Sequence, residues 1–150
     1  MRRLTEIWIY PIKSLGGIRL EKARVLEKAL EFDRRWMLVD SEGRFLTQRI
    51  HADMAFFKLT IDNEQLTIVH TKKQSNHAIT LYPEINPQQS PVQIWDDTVQ
   101  AFEVSAISSR WFSEMLDIDC KLVFFPEEND RAVDRRYATH ENVSLADGYP

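Results

Sequence analysis

Short apolar runs, each ended by turn-forming residues, recur along most of this chain. Residues 7–10 are rich in β-forming side chains and stop at Pro11, while residues 36–39 form a continuous apolar run typical of a buried strand. Alternating apolar and polar residues on both sides of 62–64, and again around 96–97, predict two hairpins. Further strands are predicted at 18–25, 45–47, 77–82 and 121–125.

One segment follows a helical period instead. Ser105 is a suitable N-cap for a helix that runs to Leu116, because apolar residues recur there at helical spacing. Residues 20–30 are ambiguous: they include good helix formers, yet the Gly16-Gly17 turn before them favours a hairpin strand. We predict a mainly β fold, a small β-barrel or sandwich of short, largely antiparallel strands, with one α-helix at about 105–116.

The composition and charge of the chain exclude several classes of protein and of binding partner. The 150 residues are 43% hydrophobic and 28% charged, which suits one globular domain with a sizeable core. A formal net charge of −4 argues against nucleic-acid binding, and no apolar run approaches a membrane span or a secretory signal. The single Cys120 excludes an internal disulfide and a Cys-rich zinc site. We therefore expect a cytoplasmic protein.

The loop after the first strand carries the first candidate chemistry. Lys13 and Ser14 follow Pro11 and precede Gly16-Gly17, so an ammonium and a hydroxyl stand beside flexible backbone. Such a loop could bind a phosphate or another oxyanion. A lone lysine in a turn is nevertheless more often simply exposed to solvent.

Two arginines are candidates for the same site. Arg34 and Arg35 are adjacent, so on extended backbone only one of them can enter a given pocket. A guanidinium can clamp a phosphate with two bonds in a fixed plane. Arg49 shares a strand face with Thr47 by the period of two and could join the pocket, although a salt bridge at the rim of the barrel is the alternative.

The remaining polar and aromatic residues give weaker signals. Four histidines are scattered without the spacing of a metal site, and no partner for a catalytic base can be named. Cys120 precedes an apolar strand, as a buried structural thiol commonly does. The four tryptophans are most simply interpreted as core residues.

Three segments together resemble a known family. They are residues 9–14 (IYPIKS), 33–40 (DRRWMLVD) and 47–49 (TQR), and they occur in the family's order. The family is the N-terminal β-barrel domain of proteins with a MOSC domain (molybdenum cofactor sulfurase C-terminal). The segment 142–150 is similar to the entry into the MOSC domain proper, so the resemblance implies a barrel domain at 1–126 and, at 127–150, a linker and the start of a truncated MOSC domain.

The resemblance to the amidoxime-reducing members implies a molybdopterin cofactor held between the two domains. Lys13 and Ser14 match positions that bind its phosphate, Arg34 matches an arginine that contacts the pterin, and Asp147 matches an aspartate near the cofactor. Arg49 belongs to the shared pattern, although its role carries over less directly. The resemblance also implies a small N-hydroxylated substrate and an electron-donor protein.

Two departures limit the resemblance. Leu15 stands where many relatives have a cysteine, and the thiolate that ligates molybdenum in the family lies downstream of Pro150, so Cys120 does not match it. The chain thus resembles half of a cofactor site, and we expect it by itself neither to retain the cofactor nor to catalyse a reaction. The alternatives are a non-catalytic β module that binds a substrate or partner, and a pocket for another phosphorylated cofactor such as pyridoxal phosphate.

Overall fold

The computed structural model describes residues 1–134, 136 and 139–146. Within them the fold is mainly β, with one α-helix and one short 3-10 helix, which confirms the predicted class. The nine strands are β1 Ile7–Ile9, β2 Ile18–Leu20, β3 Trp36–Val39, β4 Phe57–Asp62, β5 Gln65–His70, β6 Ser75–Thr80, β7 Ser90–Ile94, β8 Asp97–Glu103 and β9 Lys121–Phe124. Helix α1 spans Ala106–Leu116 and the 3-10 helix Ala52–Phe56. Among the described residues, no helix has the length and apolarity that crossing a membrane requires.

The strands form three antiparallel sheets. The largest has the order β3-β9-β8-β7, a second has the order β4-β5-β6, and β1 pairs with β2. The segment 43–46 connects the two edge strands of the largest sheet: Leu46 N donates to Leu38 O of β3, and Phe45 N donates to Gln93 O of β7. This double pairing closes the sheet on itself, which removes two unpaired edges.

The centre of the fold is buried on both faces of β3 and β9. Trp36 and Leu38 point into a core shared with α1 and the β4-β5-β6 sheet, while Met37 and Val39 point into the core of the barrel. Because successive side chains of a strand face opposite sides, a strand between two cores must be apolar throughout. This explains the continuous run at 36–39, whose four residues are all buried.

Helix α1 confirms its predicted start and end. Ser105 Oγ accepts a hydrogen bond from Ser108 N at 3.0 Å, so it is the N-cap, and the helix ends at Leu116, followed by the C-cap Asp117 in the left-handed conformation. Phe112 and Leu116 are buried against the larger core. The helix thereby covers the face of the β3-β9 pair that lies outside the barrel.

Three predicted strands differ in extent. The strand expected at 18–25 ends at Leu20, and a small loop closed by an antiparallel bridge between Val25 and Leu30 follows, since Val25 is exposed and has no core to face. The strand expected at 45–47 consists of single bridges at residues 44 and 45. The strand expected at 77–82 spans Ser75–Thr80, because a tight turn at 71–74 already reverses the chain.

The segment after β9 packs back onto the barrel. Arg131 and Val133 are buried, and Ala132 bridges Asn142 in an antiparallel pair. Leu145 is fully buried in the barrel core. The charge-rich composition of residues 127–142 is typical of an exposed connection, yet Arg131 is buried, because its charge is matched by hydrogen-bond acceptors inside the fold.

Candidate functional site

Four of the five predicted site residues surround one cavity of about 550 Å³. Lys13, Ser14, Arg34 and Arg49 all contribute to its wall, and we call it the cationic cavity. The described residues that line it are Tyr10, Lys13, Ser14, Leu15, Arg34, Thr47, Gln48, Arg49, Trp95 and Ala146. The fifth predicted residue, Asp147, lies outside the described residues.

Lys13 and Ser14 are placed by backbone pairing with the start of β3. Lys13 N donates to Trp36 O at 2.8 Å and Trp36 N donates to Pro11 O at 3.1 Å, so the chain continues β1 as a parallel neighbour of β3. Ser14 then takes a positive φ of 65°, and Leu15 N closes the turn onto Ile12 O. Lys13 is only 7% exposed, and its Nζ lies 5.5 Å from the ring centre of Trp95. The ammonium is therefore held at the cavity by a folded loop.

Gly16 allows this loop to approach β4. A Cβ added at Gly16 would lie 2.7 Å from the carbonyl oxygen of Phe57, which is closer than real Cβ contacts. A residue with a side chain would push the Lys13-Ser14 turn away from the sheet. Gly16 therefore allows close packing of the loop against the protein's own backbone.

Arg34 is held beside the loop by Asp33 and Tyr10. Asp33 is buried, and its carboxylate accepts hydrogen bonds from Tyr10 N at 2.7 Å and from Arg34 Nη1 at 2.5 Å. Arg34 adopts a left-handed φ of 49°, its N donates to Tyr10 O, and its guanidinium lies 4.9 Å from the ring centre of Tyr10. The Arg34 side chain remains 36% exposed, so it can still meet a ligand.

Arg35 points away from the cavity, as expected for one of two adjacent arginines. Its guanidinium is buried against Phe124 and Phe125 and pairs with Glu127 at 2.7 Å. Burial lowers the pKa of Arg35, and the neighbouring Glu127 carboxylate counteracts part of that shift. Arg35 therefore joins β3 to the segment after β9, and Arg34 is the member of the pair that serves the cavity.

Arg49 reaches the cavity from a turn. The prediction placed Thr47 and Arg49 on one face of a strand, but residues 48–50 form a turn in which His51 N and Ile50 N both donate to Thr47 O. The predicted strand therefore does not form at 47–49, even though Thr47 and Arg49 both line the cavity. Gln48 Nε2 donates to Ser14 O at 2.8 Å and ties this turn to the Lys13-Ser14 loop.

Trp95 also lines the cavity, which its sequence pattern did not indicate. It was predicted to be a core residue, as was Trp8, but both are at the surface, at 36% and 46% exposed. Trp95 occupies the β7-β8 turn with a positive φ of 53°, and the Arg49 guanidinium lies 5.4 Å from its ring centre. Trp95 directly precedes Asp96-Asp97 in the predicted turn, a position that is typical of a solvent-exposed side chain. One aromatic ring thereby orients both Lys13 and Arg49.

The chemistry of the cavity follows from these donors. Lys13, Arg34 and Arg49 provide three cations and Ser14 a hydroxyl, and the described lining residues include no carboxylate. Tyr10 and Trp95 add aromatic surface. Within the described part of the chain, no cluster of three or more His, Cys, Asp or Glu residues could hold a metal ion. The arrangement is suited to an anion that carries a planar or apolar body.

Comparison with known proteins places the chain in a family. Residues 1–119 match the MOSC N-terminal beta barrel domain. Because this match covers most of the chain, the protein belongs to the family of MOSC N-terminal β-barrel domains. The solution structure of a protein from Bordetella bronchiseptica has the same fold, with a TM-score of 0.60 at 14% identity, over 79% of this chain and 88% of that one.

The relatives are proteins whose names refer to molybdenum cofactor or amidoxime reduction. Mitochondrial amidoxime-reducing component 1 of Mus musculus is 25% identical over 98% of this chain and 46% of its own length. Molybdenum cofactor sulfurase of Drosophila willistoni is 31% identical over 66% of this chain and 11% of its own length. The sulfurase of Oryza sativa subsp. japonica is 29% identical over 80% of this chain and 15% of its own length. The chain therefore spans less than half of these relatives.

Proposed function

We propose that this chain forms one wall of a molybdenum-cofactor site in a longer oxidoreductase that reduces N-hydroxylated substrates. Lys13 and Ser14 bind the phosphate of molybdopterin, and Arg34 contacts the pterin. Arg49 adds positive charge at the rim. The observation that carries the proposal is the convergence of these four residues, from three separate segments, on one cavity.

The residues present fit the chemistry of such a cofactor. Molybdopterin carries a phosphate, for which Lys13 and the Ser14 hydroxyl are suitable donors, and a planar heterocycle, for which Tyr10 and Trp95 offer aromatic faces. When bound, the cofactor supplies the redox-active metal of the reaction. This chain binds and orients the anion, and the Asp33 carboxylate keeps Arg34 in place for that task.

The other parts of the site belong to the rest of the proposed protein. Residues 1–126 are the barrel domain, and 127–150 form the linker and the start of a MOSC domain whose downstream cysteine ligates molybdenum. Asp147 belongs to the cofactor's surroundings on that side. The partners are an electron-donor protein and a small-molecule substrate, and the location is the cytoplasm. The 150-residue chain alone retains no cofactor and is inactive, because the opposite wall supplies the metal ligand.

The test uses the full-length gene product with Lys13→Ala and Arg34→Ala, and Lys58→Ala on the exposed side of β4 as the matched control. Molybdenum is measured by mass spectrometry, and pterin by fluorescence after oxidation. A hydrogen bond to a charged group contributes about 1.5–3 kcal/mol, so we expect each cavity variant to lose roughly ten- to hundredfold in cofactor affinity. The control keeps its full content.

Two results would count against this proposal. Undiminished molybdenum and pterin in both cavity variants would contradict the assigned roles. Saturable binding of pyridoxal phosphate to the wild-type protein, lost in Lys13→Ala, would instead favour a pocket for another phosphorylated cofactor.

A further inference from the structure

A buried arginine lies behind the cationic cavity and holds two of its sides. Arg131 is only 4% exposed and is not among the described residues that line the cavity. Its Nε donates to Asp97 Oδ2 at 2.8 Å, and its Nη1 donates to the carbonyls of Ser144 at 2.8 Å and Ala146 at 2.6 Å. These partners satisfy a charge that would otherwise be costly to bury.

The first side is the turn that carries Trp95. Asp97 begins β8 and pairs with Ile94, so Trp95 and Asp96 are the two residues that connect the strands. The bond from Arg131 fixes the Asp97 end of this turn. The rings of Trp95 and Phe45 lie 4.8 Å apart, so the turn has a second contact at the ring against which Lys13 and Arg49 lie.

The second side is the segment that ends at Ala146. Ala146 lines the cavity, and Arg131 bonds the carbonyls of this residue and of Ser144. Backbone bonds continue the attachment: Val143 N donates to Arg131 O at 2.9 Å, and Leu145 N donates to Arg34 O at 3.0 Å. The 142–146 segment is thereby joined to the same Arg34 backbone that presents the cavity guanidinium.

We propose that Arg131 is a positioning residue for the cavity: it fixes the Trp95 turn and the 142–146 segment relative to each other, and ligand binding depends on it without direct contact. This inference rests on the proposed function for the identity of the ligand. A guanidinium suits the task because its planar fork reaches several acceptors at once, whereas a lysine ammonium is a compact charge. No local pattern indicates this role, since Arg131 stands in a charge-rich stretch.

The variants separate positioning from general stability. Arg131→Met keeps an unbranched apolar stem but removes all three side-chain bonds, while Arg131→Lys keeps the charge facing Asp97. Arg110→Met removes a charge from the exposed surface of α1 and is the matched control. Ile68→Val or Ile68→Ala, in the core of the β4-β5-β6 sheet, is chosen to match the unfolding temperature of Arg131→Met without altering the 142–146 segment.

Two measurements on the full-length gene product test whether Arg131 positions the 142–146 segment and whether ligand binding depends on it. Hydrogen exchange followed by mass spectrometry reports the peptide that contains residues 142–146, where the amides of Val143 and Leu145 are hydrogen-bonded. Molybdenum and pterin content report ligand binding. We expect Arg131→Met to speed exchange in this peptide and to lower cofactor content about tenfold, the lower end of effects seen for groups that orient a ligand through another residue. Arg131→Lys should be intermediate.

Each outcome has a defined meaning. Unchanged exchange at 142–146 in Arg131→Met, or a cofactor loss no larger than in the Ile68 variant of equal unfolding temperature, would overturn the inference. Faster exchange and a loss specific to the Arg131 variants would support it. If Lys13→Ala keeps its full cofactor content, the proposed function fails instead, and the exchange at 142–146 alone then decides whether Arg131 positions the segment.

Discussion

Replacing Asp33 by Asn tests how the cavity arginine is held. The Asp33 carboxylate accepts hydrogen bonds from Tyr10 N at 2.7 Å and from Arg34 Nη1 at 2.5 Å, and the residue is 6% exposed. Asn has nearly the same shape and can still accept the bond from Tyr10 N. It cannot accept as an anion, and its amide group would face the Arg34 guanidinium if the carbonyl keeps its bond to Tyr10.

The expected magnitude follows from these two bonds. A hydrogen bond to a charged group contributes about 1.5–3 kcal/mol and a neutral one about 0.5–1.5 kcal/mol, so the Tyr10 bond weakens by about 1 kcal/mol. The Arg34 pair is partly exposed, and solvent screening limits its contribution to at most about 1 kcal/mol. We therefore expect Asp33→Asn to lower the free energy of unfolding by about 1–2 kcal/mol. For a chain of this size, this corresponds to a fall of about 2–8 °C in unfolding temperature.

Urea unfolding, followed by tryptophan fluorescence, measures this change. Asp62→Asn, at the exposed end of β4, is the control and should stay within about 0.5 kcal/mol of the wild type. In the full-length gene product, Asp33→Asn should also lower cofactor content, because Arg34 loses its anchor. A free energy of unfolding equal to that of the Asp62 variant would refute the argument that the carboxylate holds Tyr10 and Arg34 together.

Three further predictions concern stability and reactivity. Gly16→Ala should lower the free energy of unfolding by about 1–3 kcal/mol in urea titrations, because the new Cβ would meet the Phe57 carbonyl, and an unchanged midpoint would contradict the close approach. Burial lowers the pKa values of His70 and His77, so below pH about 6.5 the unfolded chain binds more protons than the folded protein does. Stability should therefore fall as pH drops from 7 towards 5, and His77→Gln should flatten this dependence in urea midpoints. Burial also raises the pKa of the Cys120 thiol, so iodoacetamide at pH 7.5 should modify it in urea but not in the native protein, and rapid native labelling would contradict its burial.

Much of the fold was predictable because its strongest signals are local. The hairpin of β4 and β5 alternates apolar and polar residues, and the Ser105 cap and apolar spacing define α1. The apolar run at 36–39 correctly indicated a buried strand. The predicted lengths of strands were wrong where tertiary contacts determine them. At 44–46, for example, a short segment joins two sheet edges and carries no strand pattern of its own.

The candidate site was predictable in part. Local chemistry and the family resemblance singled out Lys13, Ser14, Arg34 and Arg49, and the fold brings these four together. Trp95 and Arg131 were missed, since a tryptophan in a hairpin is usually core and an arginine among charges is usually exposed. Their roles depend on where the β7-β8 turn and the 142–146 segment meet, which is a long-range feature that no local pattern encodes.

Anomalous diffraction at the molybdenum edge, from crystals of the full-length gene product, would locate the cofactor relative to the cationic cavity. We expect a molybdenum peak close to this cavity, with phosphate density within hydrogen-bond distance, about 2.7–3.2 Å, of Lys13 Nζ and the Ser14 hydroxyl. A cofactor bound elsewhere, with Lys13 and Arg34 facing solvent, would contradict it.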